Sequence, residues 1–303
     1  MATSQTSSPS VQNASVNTDA WTVRKILDWT TQHLKSHGSE SPRLEAEILL
    51  AHSRGCPRIQ LYVQFDEVLS DAQRAKMRDL VKRRANAEPV AYLVGYREFF
   101  SLRFEVTSDV LIPRPETETL VLQALAHLKT CESPCLLDLC TGSGCVAISA
   151  AKNCPPASVV ATDLSPQALA VAGRNAETHE VSDRVQFCEG DLFEAVPSDA
   201  KFHVIATNPP YVADTEWESL SPDIRLHEPN QALLSGADGL DHIRKIVGHA
   251  AHHLAPGGML IIELSPEQAR TVCDLLATWA HRVEPIRDVD GEVRFVRCFA
   301  PLD

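Results

Sequence analysis

The residues Thr207-Asn208-Pro209-Pro210-Tyr211 form the stretch of this sequence that is best suited to chemistry. They directly follow an apolar run, so a buried strand is predicted to end there in a loop. The two prolines lack backbone N–H groups, which leaves the carbonyl oxygens of the turn as acceptors, and Asn208 adds a side-chain carbonyl. With the ring of Tyr211, these acceptors suit a planar substrate group that carries an NH2, such as a carboxamide or an exocyclic base amine. A plain strand-ending turn is the alternative for this stretch alone.

A glycine turn earlier in the chain lies in the segment Cys-Leu-Leu-Asp-Leu-Cys-Thr-Gly-Ser-Gly. Gly142 and Gly144 let the backbone approach a ligand and let the following helix pack against its strand. The next predicted strand ends at Asp163, about 20 residues on, where a carboxylate can bind a ribose diol. Another acidic residue, Asp191, follows a third predicted strand and precedes Leu192. Together these residues predict a site for a nucleotide-like cofactor.

In this order and spacing, the glycine turn, the acidic strand ends and the Asn-Pro-Pro-Tyr segment resemble class I S-adenosylmethionine methyltransferases that methylate a planar amide or amine nitrogen. Segments 88–95 and 111–118 are similar to those that precede the catalytic domain in the protein-glutamine methyltransferases of peptide-chain release factors, the PrmC/HemK family. Segments 228–233 and 238–240 match the same family. The resemblance extends from about residue 20 to the C-terminus, and the motifs are specific jointly rather than singly.

The resemblance implies S-adenosylmethionine as cofactor and release factors as protein substrate. It implies that Gly142 and Gly144 face the methionine part, that Asp163 takes the ribose hydroxyls, and that the segment around Asp191 borders adenine. The full implied cofactor set is Asp138, Cys140, Thr141, Gly142, Ser143, Gly144, Asp163, Asp191, Leu192 and Asn208. Asp138 is expected to support the glycine turn. The family commonly has glycine at the positions of Cys140 and Ser101, which leaves the backbone conformation at both positions open.

The chemistry predicted for the platform rests on positioning, because a carboxamide nitrogen is a poor nucleophile that no side-chain base deprotonates at neutral pH. The Asn208 Oδ1 and the Pro209 carbonyl are expected to accept from the substrate NH2 and to favour the positive charge that develops there. Tyr211 is expected to pack on the planar amide. The predicted catalytic residues are Asn208, Pro209 and Tyr211, and Pro210 joins them in the substrate site. No role for Arg114 or Glu116 follows from the sequence.

Composition limits the function classes. The chain has 303 residues, 44% hydrophobic residues and a net charge of −12, with the acidic excess in the part after residue 90. Such a charge disfavours direct binding of nucleic acid. It therefore argues against an adenine-N6 methyltransferase of nucleic acid, which could use the same platform on a flipped base. A ribosomal-protein glutamine methyltransferase differs only in substrate, and a non-catalytic binding module would be expected to lose part of the platform.

The nine cysteines and the absence of a signal-peptide pattern predict a protein of the reducing cytoplasm. A metal site is not expected, since the spacing of Cys131, Cys135, Cys140 and Cys145 is not that of zinc ligands. No apolar run approaches the roughly 20 residues that span a bilayer. A monomer is expected. Four histidines on one predicted helix are interpreted as a solvated face: His242, His249, His252 and His253.

Four regions are predicted along the chain. Residues 1–19 are polar and predict a disordered tail, residues 20–88 a helical substrate-recognition domain, residues 89–112 a β-hairpin linker, and residues 113–303 the methyltransferase domain. The hairpin is placed between Ala91 and Val106, and a Ser70-x-x-Gln73 capping box opens the last helix of the bundle. The alternation of strands and helices after Pro113 predicts a doubly wound, Rossmann-like α/β sheet, with ligands beyond the carboxyl ends of the strands. Predicted strands are 135–139, 158–162, 184–188, 202–206, 259–264, 283–288 and 293–299, and predicted helices are 116–129, 144–152, 166–178, 239–254 and 267–280.

Overall fold

The computed structural model describes residues 20–288 and 290–302. The predicted tail of residues 1–19 lies outside the described residues. The chain forms two compact units, residues 1–85 and residues 86–303, which divide close to the predicted boundary at residue 88. In the described part, no helix is long and apolar enough to cross a membrane.

The first unit is helical, as predicted. It contains α1 (Val23–Ser36), α2 (Pro42–Arg54), α3 (Arg58–Val63) and α4 (Asp71–Ala85). The predicted capping box at the start of α4 is confirmed, because the Gln73 N–H donates to Ser70 Oγ (3.2 Å) and the Ser70 N–H donates to Gln73 Oε1 (3.1 Å). The box satisfies backbone donors that the first turn of a helix leaves free, so the helix start is set locally.

The second unit opens with α5 (Val90–Val94), β1 (Tyr96–Phe99) and β2 (Leu102–Glu105). The predicted hairpin is therefore confirmed for residues 96–105 and wrong for residues 91–94, which belong to the short helix α5 that ends at Gly95 in the left-handed conformation. The hairpin turn has two residues with positive φ, Phe100 (51°) and Ser101 (61°), which is the pattern of a type I′ turn. Glycine adopts that conformation easily, which explains why a glycine suits the position of Ser101.

The rest of the second unit is a seven-stranded sheet flanked by helices. Its strands are β3 (Cys135–Leu139), β4 (Ser158–Asp163), β5 (Val185–Glu189), β6 (Phe202–Thr207), β7 (Leu254–Glu263), β8 (Arg282–Arg287) and β9 (Val293–Phe299). Its helices are α6 (Glu118–Leu128), α7 (Cys145–Asn153), α8 (Pro166–Thr178), α9 (Pro222–His227), α10 (Asp241–His253) and α11 (Ala269–Leu276). The strand order is β5-β4-β3-β6-β7-β9-β8, and β9 runs in the opposite direction to the other six strands of this sheet. The predicted doubly wound sheet is confirmed. The strands β4 and β5 lie on one side of β3 and the later strands lie on the other, so the order of the strands reverses between β3 and β6.

Two element predictions need correction. The helix predicted at 267–280 is a 3-10 turn (Pro266–Gln268) followed by α11, which ends at Leu276. The segment between the predicted strand 202–206 and the predicted helix 239–254, for which no element is predicted, contains short helical pieces that include Asp214–Ser219 and α9.

The sheet is buried on both faces. Because successive side chains of a strand point to opposite faces, Leu136 and Val204 pack in one apolar cluster, whereas Leu137 and Ile205 pack in the other. The first cluster includes residues of α6 and α7, and the second includes residues of α10 and α11. Strands covered on both sides read as continuous apolar runs, which is why the sequence predicts them well.

Candidate active site

The carboxyl ends of β3, β4, β5 and β6 converge on two adjoining cavities. The larger cavity is lined by Gly142, Asp163, Asp191, Leu192, Asn208 and Pro210, among others. The smaller cavity is lined by Arg114, Thr117, Asp138, Thr141, Ser143 and Asn208, among others. Leu111, Cys140, Gly142 and Asn208 line both cavities. The structure therefore brings together most of the residues that the sequence nominates, and it leaves Gly144, Pro209 and Tyr211 outside both linings.

The side chain of Asp138 forms hydrogen bonds that stabilise the glycine turn between β3 and α7. This carboxylate is buried, and its Oδ2 accepts from Thr141 Oγ1 (2.6 Å) and from the backbone N–H of Ala147 (3.1 Å). Burial raises the pKa of Asp138 to about 7, although the two hydrogen bonds oppose that shift. Asp138 thus joins the turn to the first turn of α7, in agreement with the supporting role implied for it.

The backbone of the turn is left-handed at Cys140 (φ 59°) as well as at Gly142 (φ 55°). Glycine adopts this region without strain, so the structure shows why a glycine suits the position of Cys140. Burial raises the pKa of the Cys140 thiol well above its usual range, so the thiol stays protonated. A Cβ built on Gly142 would meet no atom within 4 Å, which places this residue against open space in the cavity.

Gly144 serves packing rather than the cavity. A Cβ at this position would lie 2.8 Å from Ile148 Cδ1 and 3.1 Å from the Cβ of Ala172 in α8, and φ is 80°. We expect Gly144→Ala to lower the free energy of unfolding by about 2 kcal/mol or more, from steric overlap and backbone strain combined. Urea denaturation measures the change.

Gly173→Ala is the matched control for Gly144→Ala. Gly173 lies inside α8, and a Cβ there would meet nothing within 4 Å. Gly173→Ala should leave the free energy of unfolding unchanged or raise it by up to about 1 kcal/mol, because alanine has a higher helix propensity than glycine. An equal loss of unfolding free energy in the two variants would contradict the prediction that the close packing of α7 on α8 requires glycine at position 144.

Asp163 ties two loops together at the end of β4. Its Oδ2 accepts from the Gly142 N–H and its Oδ1 from the Ser165 N–H, both at 2.9 Å. Burial raises the pKa of Asp163, and the backbone N–H donors oppose the rise. Each carboxylate oxygen has a further lone pair, so the group can still accept from ligand hydroxyls.

Asp191 and Leu192 follow β5 and border the same cavity. Leu192 has a positive φ of 53° and is nearly buried, so its side chain forms an apolar floor that belongs to the core. Asp191 Oδ2 pairs with Lys245 Nζ of α10 at 2.8 Å. This part of the cavity therefore combines an apolar surface with a paired carboxylate at its edge.

The platform after β6 has one engaged donor and several acceptors. Asn208 Nδ2 donates to Thr117 Oγ1 (3.3 Å), which leaves the Asn208 Oδ1 as the amide atom that can accept from a ligand. Pro209 and Pro210 are buried, and Thr207 Oγ1 donates to the Leu139 carbonyl (2.9 Å), which ties the strand end to β3. The ring of Tyr211 is partly buried, and burial raises the pKa of its hydroxyl to about 12, so it stays neutral.

Comparison with known proteins places this geometry in a family. Residues 25–95 match the PrmC N-terminal domain, and residues 117–236 match the methyltransferase small domain. Over 254 residues the chain is 48% identical to the release factor glutamine methyltransferase of Rhodopirellula baltica, which covers 82% of this chain and 86% of that protein. This chain belongs to the release factor glutamine methyltransferase family.

A second relative agrees with that assignment, and one solved structure shares the fold. The release factor glutamine methyltransferase of Geobacter sulfurreducens is 45% identical over 259 residues, 86% of this chain and 89% of that protein. The catalytic domain of hMettl16 in complex with the MAT2A 3′UTR hairpin 1 superposes with a TM-score of 0.56 at 13% identity, over 74% of this chain and 81% of that chain. At that identity the structural likeness shows the methyltransferase fold alone.

The side chain of Gln268, which the sequence reasoning missed, ties the end of the platform to other loops. Its Nε2 donates to the Tyr211 carbonyl (2.9 Å) and to the Gly239 carbonyl (3.2 Å), and its Oε1 accepts from the Ser265 N–H (3.2 Å). The side chain is nearly buried, so it holds the end of the platform against two other loops. The Ser265-x-x-Gln268 spacing, a capping-box pattern, is the signal that could have identified it.

The ion pair of Arg114 with Glu228 supplies the role that the sequence did not show for Arg114. Glu228 is buried and accepts from Arg114 Nη2 (2.5 Å) and from the Ile112 N–H (3.2 Å). The pair holds the segment around Leu111, which lines both cavities, to the segment before Pro229. Both segments belong to the family pattern, but only their contact shows that they act together.

Glu263, the last residue of β7, was also missed. Its carboxyl group is buried, and its Oε2 has no hydrogen-bond partner among the described residues. Burial raises the pKa of Glu263 to about 7. A glutamate that ends an apolar strand is the available sequence signal, since such a residue is rarely buried without a reason.

The raised pKa of Glu263 makes stability depend on pH. The folded protein retains a proton that the unfolded chain releases near the ordinary pKa of 4.5, so stability falls as pH rises from about 5 towards 7. We expect Glu263→Gln to reduce the loss of unfolding free energy between about pH 5 and pH 8 by as much as about 3 kcal/mol. The charged groups that face Glu263 are Glu116, Arg114 and Arg294. Urea denaturation at both pH values measures the free energy of unfolding, and Glu132→Gln, at an exposed position, is the control. An equal change of this free energy with pH in wild type and in Glu263→Gln would contradict the prediction.

The interpretation of the four α10 histidines as a solvated face is wrong for two of them. His253 is buried and stacks on Phe193 with ring centroids 4.7 Å apart. His242 is partly buried, contacts Ser235 Oγ through Nδ1 (2.8 Å) and lines the larger cavity. Only His249 and His252 are exposed. The helix turns the other two inward because α10 packs on the sheet through that side.

Proposed function

We propose that this protein transfers a methyl group from S-adenosylmethionine to the side-chain amide nitrogen of the glutamine in the Gly-Gly-Gln motif of peptide-chain release factors. The observation that carries the proposal is the Asn208 amide, whose Nδ2 is engaged by Thr117 while its Oδ1 remains an acceptor beside both cavities. An acceptor beside a rigid Pro-Pro turn suits an NH2 group. The relatives named above are release factor glutamine methyltransferases.

The residues of the larger cavity fit S-adenosylmethionine. The open space over Gly142 admits close approach of a ligand to the backbone, the Asp163 carboxylate can accept from a ribose diol, and Leu192 offers an apolar surface for a base. When bound, the cofactor supplies an electrophilic methyl group on a sulfonium centre. Gly142, Asp163, Asp191 and Leu192 would hold it.

The chain's own residues contribute orientation and electrostatics. Asn208 Oδ1 and the Pro209 carbonyl each accept a hydrogen bond from one N–H group of the substrate NH2. These two bonds fix the direction of the nitrogen lone pair. The same acceptors become more favourable as positive charge develops on the nitrogen, so they stabilise the transition state more than the ground state. The surplus proton is acidic after transfer and leaves without a dedicated base. The ring of Tyr211 packs against the second apolar cluster and lines neither cavity, so its contact with the planar amide stays a prediction, and its neutral hydroxyl adds no charge.

The net charge of −12 supports a protein substrate over nucleic acid, and the family supports a release factor over a ribosomal protein. All nine cysteines are free, which fits the cytoplasm, where release factors act. A monomer is proposed.

The experiment that tests the function is labelling of a purified release factor with radioactive S-adenosylmethionine, beside the same factor with Gln→Glu in its Gly-Gly-Gln motif. Label on the wild-type factor alone is expected. Label on both factors, or on neither, would overturn the proposal.

The helical unit is proposed to recognise the release factor. It holds none of the predicted cofactor residues, and most of the large apolar side chains that lie exposed belong to it, among them Ile59 and Val63 of α3. A tripeptide motif offers little contact area, so affinity for a whole protein must come from a remote surface. We expect removal of residues 1–85 to lower kcat/KM on intact release factor by about 100-fold or more, with cofactor affinity and activity on a short Gly-Gly-Gln peptide retained. An equal loss on peptide and protein would assign this unit to stabilising the catalytic fold.

A further inference from the structure

His242, in the first turn of α10, lines the larger cavity, although the proposed chemistry gives it no role. Three residues further along the same helix, Lys245 Nζ pairs with Asp191 Oδ2 at 2.8 Å. Residues three apart lie on the same side of a helix, so this ion pair holds the side of α10 that carries His242 next to the loop after β5. His242 therefore lies at the end of the cavity where Asp191 and Leu192 would border the base of the cofactor.

A buried serine occupies one side of the His242 imidazole. Ser235 is only 1% exposed, and its Oγ accepts from the His242 backbone N–H (3.0 Å) and lies 2.8 Å from His242 Nδ1. The Ser235 hydroxyl has a single proton, and Nδ1 is the only acceptor within reach of it among the described residues. A buried hydroxyl without an acceptor is costly, so Ser235 Oγ donates to Nδ1.

The position of the imidazole proton follows from this contact. Burial lowers the pKa of His242, and Lys245 acts in the same direction against the opposing carboxylates of Asp191 and Asp241, so the ring is neutral at pH 7. A neutral imidazole has one N–H group, and because Nδ1 accepts from Ser235, that group is at Nε2. Within the described part of the chain, Nε2 is neither buried nor hydrogen-bonded. His242 thus has one free donor in the cavity that it lines.

This free donor complements the other polar groups of the cavity. Asp109, Asp163 and Asp191 line it, and carboxylates accept hydrogen bonds without donating them. Adenine has one amino group as donor, whereas its ring nitrogens are acceptors. A carboxylate can therefore pair with the amino group of the base but not with a ring nitrogen, which an imidazole N–H can bind.

We infer that His242 is a cofactor-binding residue whose Nε2–H group donates to a ring nitrogen of the adenine base of S-adenosylmethionine. The inference rests on the proposed function through its cofactor alone and does not depend on which protein accepts the methyl group. S-adenosylhomocysteine carries the same base and has no methyl group to transfer, so it is the probe for binding without turnover.

The binding test compares His242→Phe, which keeps a ring and removes the donor, with His242→Gln, whose side-chain NH2 can replace the Nε2–H group. His242→Phe is expected to raise the Kd of S-adenosylhomocysteine by about 5- to 20-fold in calorimetry, and His242→Gln should recover most of the affinity. His249→Phe is the matched control, because His249 is exposed on the same helix and lines neither cavity. An unchanged Kd in His242→Phe would overturn the inference and leave the proposed function standing, whereas no binding to the wild type would overturn both.

Analogues of the ligand separate a direct contact from a general loss of structure. In 1-deaza-, 3-deaza- and 7-deaza-S-adenosylhomocysteine, a C–H group replaces one ring nitrogen of the base. One of the three is expected to bind the wild type about 5- to 20-fold more weakly than the parent ligand does, with little such loss in His242→Phe, where the donor is already absent. An equal loss in both proteins for every analogue would overturn the inference.

A measurement on the ligand-free protein tests the proton position itself. Long-range ¹H–¹⁵N correlation spectra distinguish an imidazole protonated at Nε2 from one protonated at Nδ1, and the His242 signals are identified by their disappearance in His242→Phe. The Nε2–H form is expected at neutral pH. The Nδ1–H form would overturn the inference, because Nε2 would then be an acceptor and could not bind a ring nitrogen of adenine.

Discussion

Replacement of Asn208 by alanine is expected to lower kcat for release factor methylation by about 100-fold or more. The substitution removes the side-chain acceptor that orients the substrate amide, and it leaves Thr117 without its donor. The proposed cofactor residues lie elsewhere, Gly142 in the turn after β3 and Asp163 at the end of β4, so the affinity for S-adenosylmethionine should change little. Single-turnover kinetics separates the transfer step from product release, and calorimetry measures cofactor binding.

The matched control for Asn208→Ala is Asn153→Ala. Asn153 is exposed at the end of α7, where its Nδ2 donates only to the Ser149 carbonyl within the same helix (2.9 Å). Its replacement should leave kcat within about twofold of wild type. Near-normal turnover of Asn208→Ala would remove the acceptor role from the mechanism, since no other side chain on the platform offers a carbonyl oxygen.

Replacement of Asp163 by alanine is expected to weaken S-adenosylmethionine binding by about 2–3 kcal/mol, which is roughly a 30- to 150-fold rise in Kd. Two losses combine in this variant. The ribose hydroxyls lose a charged acceptor, and the Gly142 and Ser165 N–H groups lose the oxygens that hold their loops in place. Isothermal titration calorimetry measures the affinity, and thermal denaturation without ligand measures the structural part.

Asp183→Ala controls for the loss of one negative charge near the sheet. Asp183 is exposed in the turn before β5, at the opposite end of the strands from Asp163. Cofactor affinity should be unchanged in this variant. If Asp163→Ala binds S-adenosylmethionine as tightly as Asp183→Ala does, Asp163 does not belong to the cofactor site.

Local chemistry explains what the sequence determines about this protein. The strands β3 and β6 are predictable because a strand buried on both faces must be a run of apolar residues, and the residues after such runs fall at one edge of the sheet. The capping box at Ser70 and Gln73 is predictable because its two hydrogen bonds span only three residues. The order of strands and helices along the chain is likewise enough to bring the glycine turn, the acidic strand ends and Asn208 to the same edge.

The tertiary structure decided what depends on contacts between distant segments. Residues 90–94 form a helix although their β-branched and aromatic side chains favour a strand, because tertiary packing outweighs a propensity that is worth only fractions of a kcal/mol per residue. The pairing of Arg114 with Glu228 and the contact of Thr117 with Asn208 join residues far apart in the chain, and no local pattern encodes such pairs. Sequence alone therefore predicted an acceptor at Asn208, whereas only the folded chain shows that the Nδ2 of the same amide donates to Thr117.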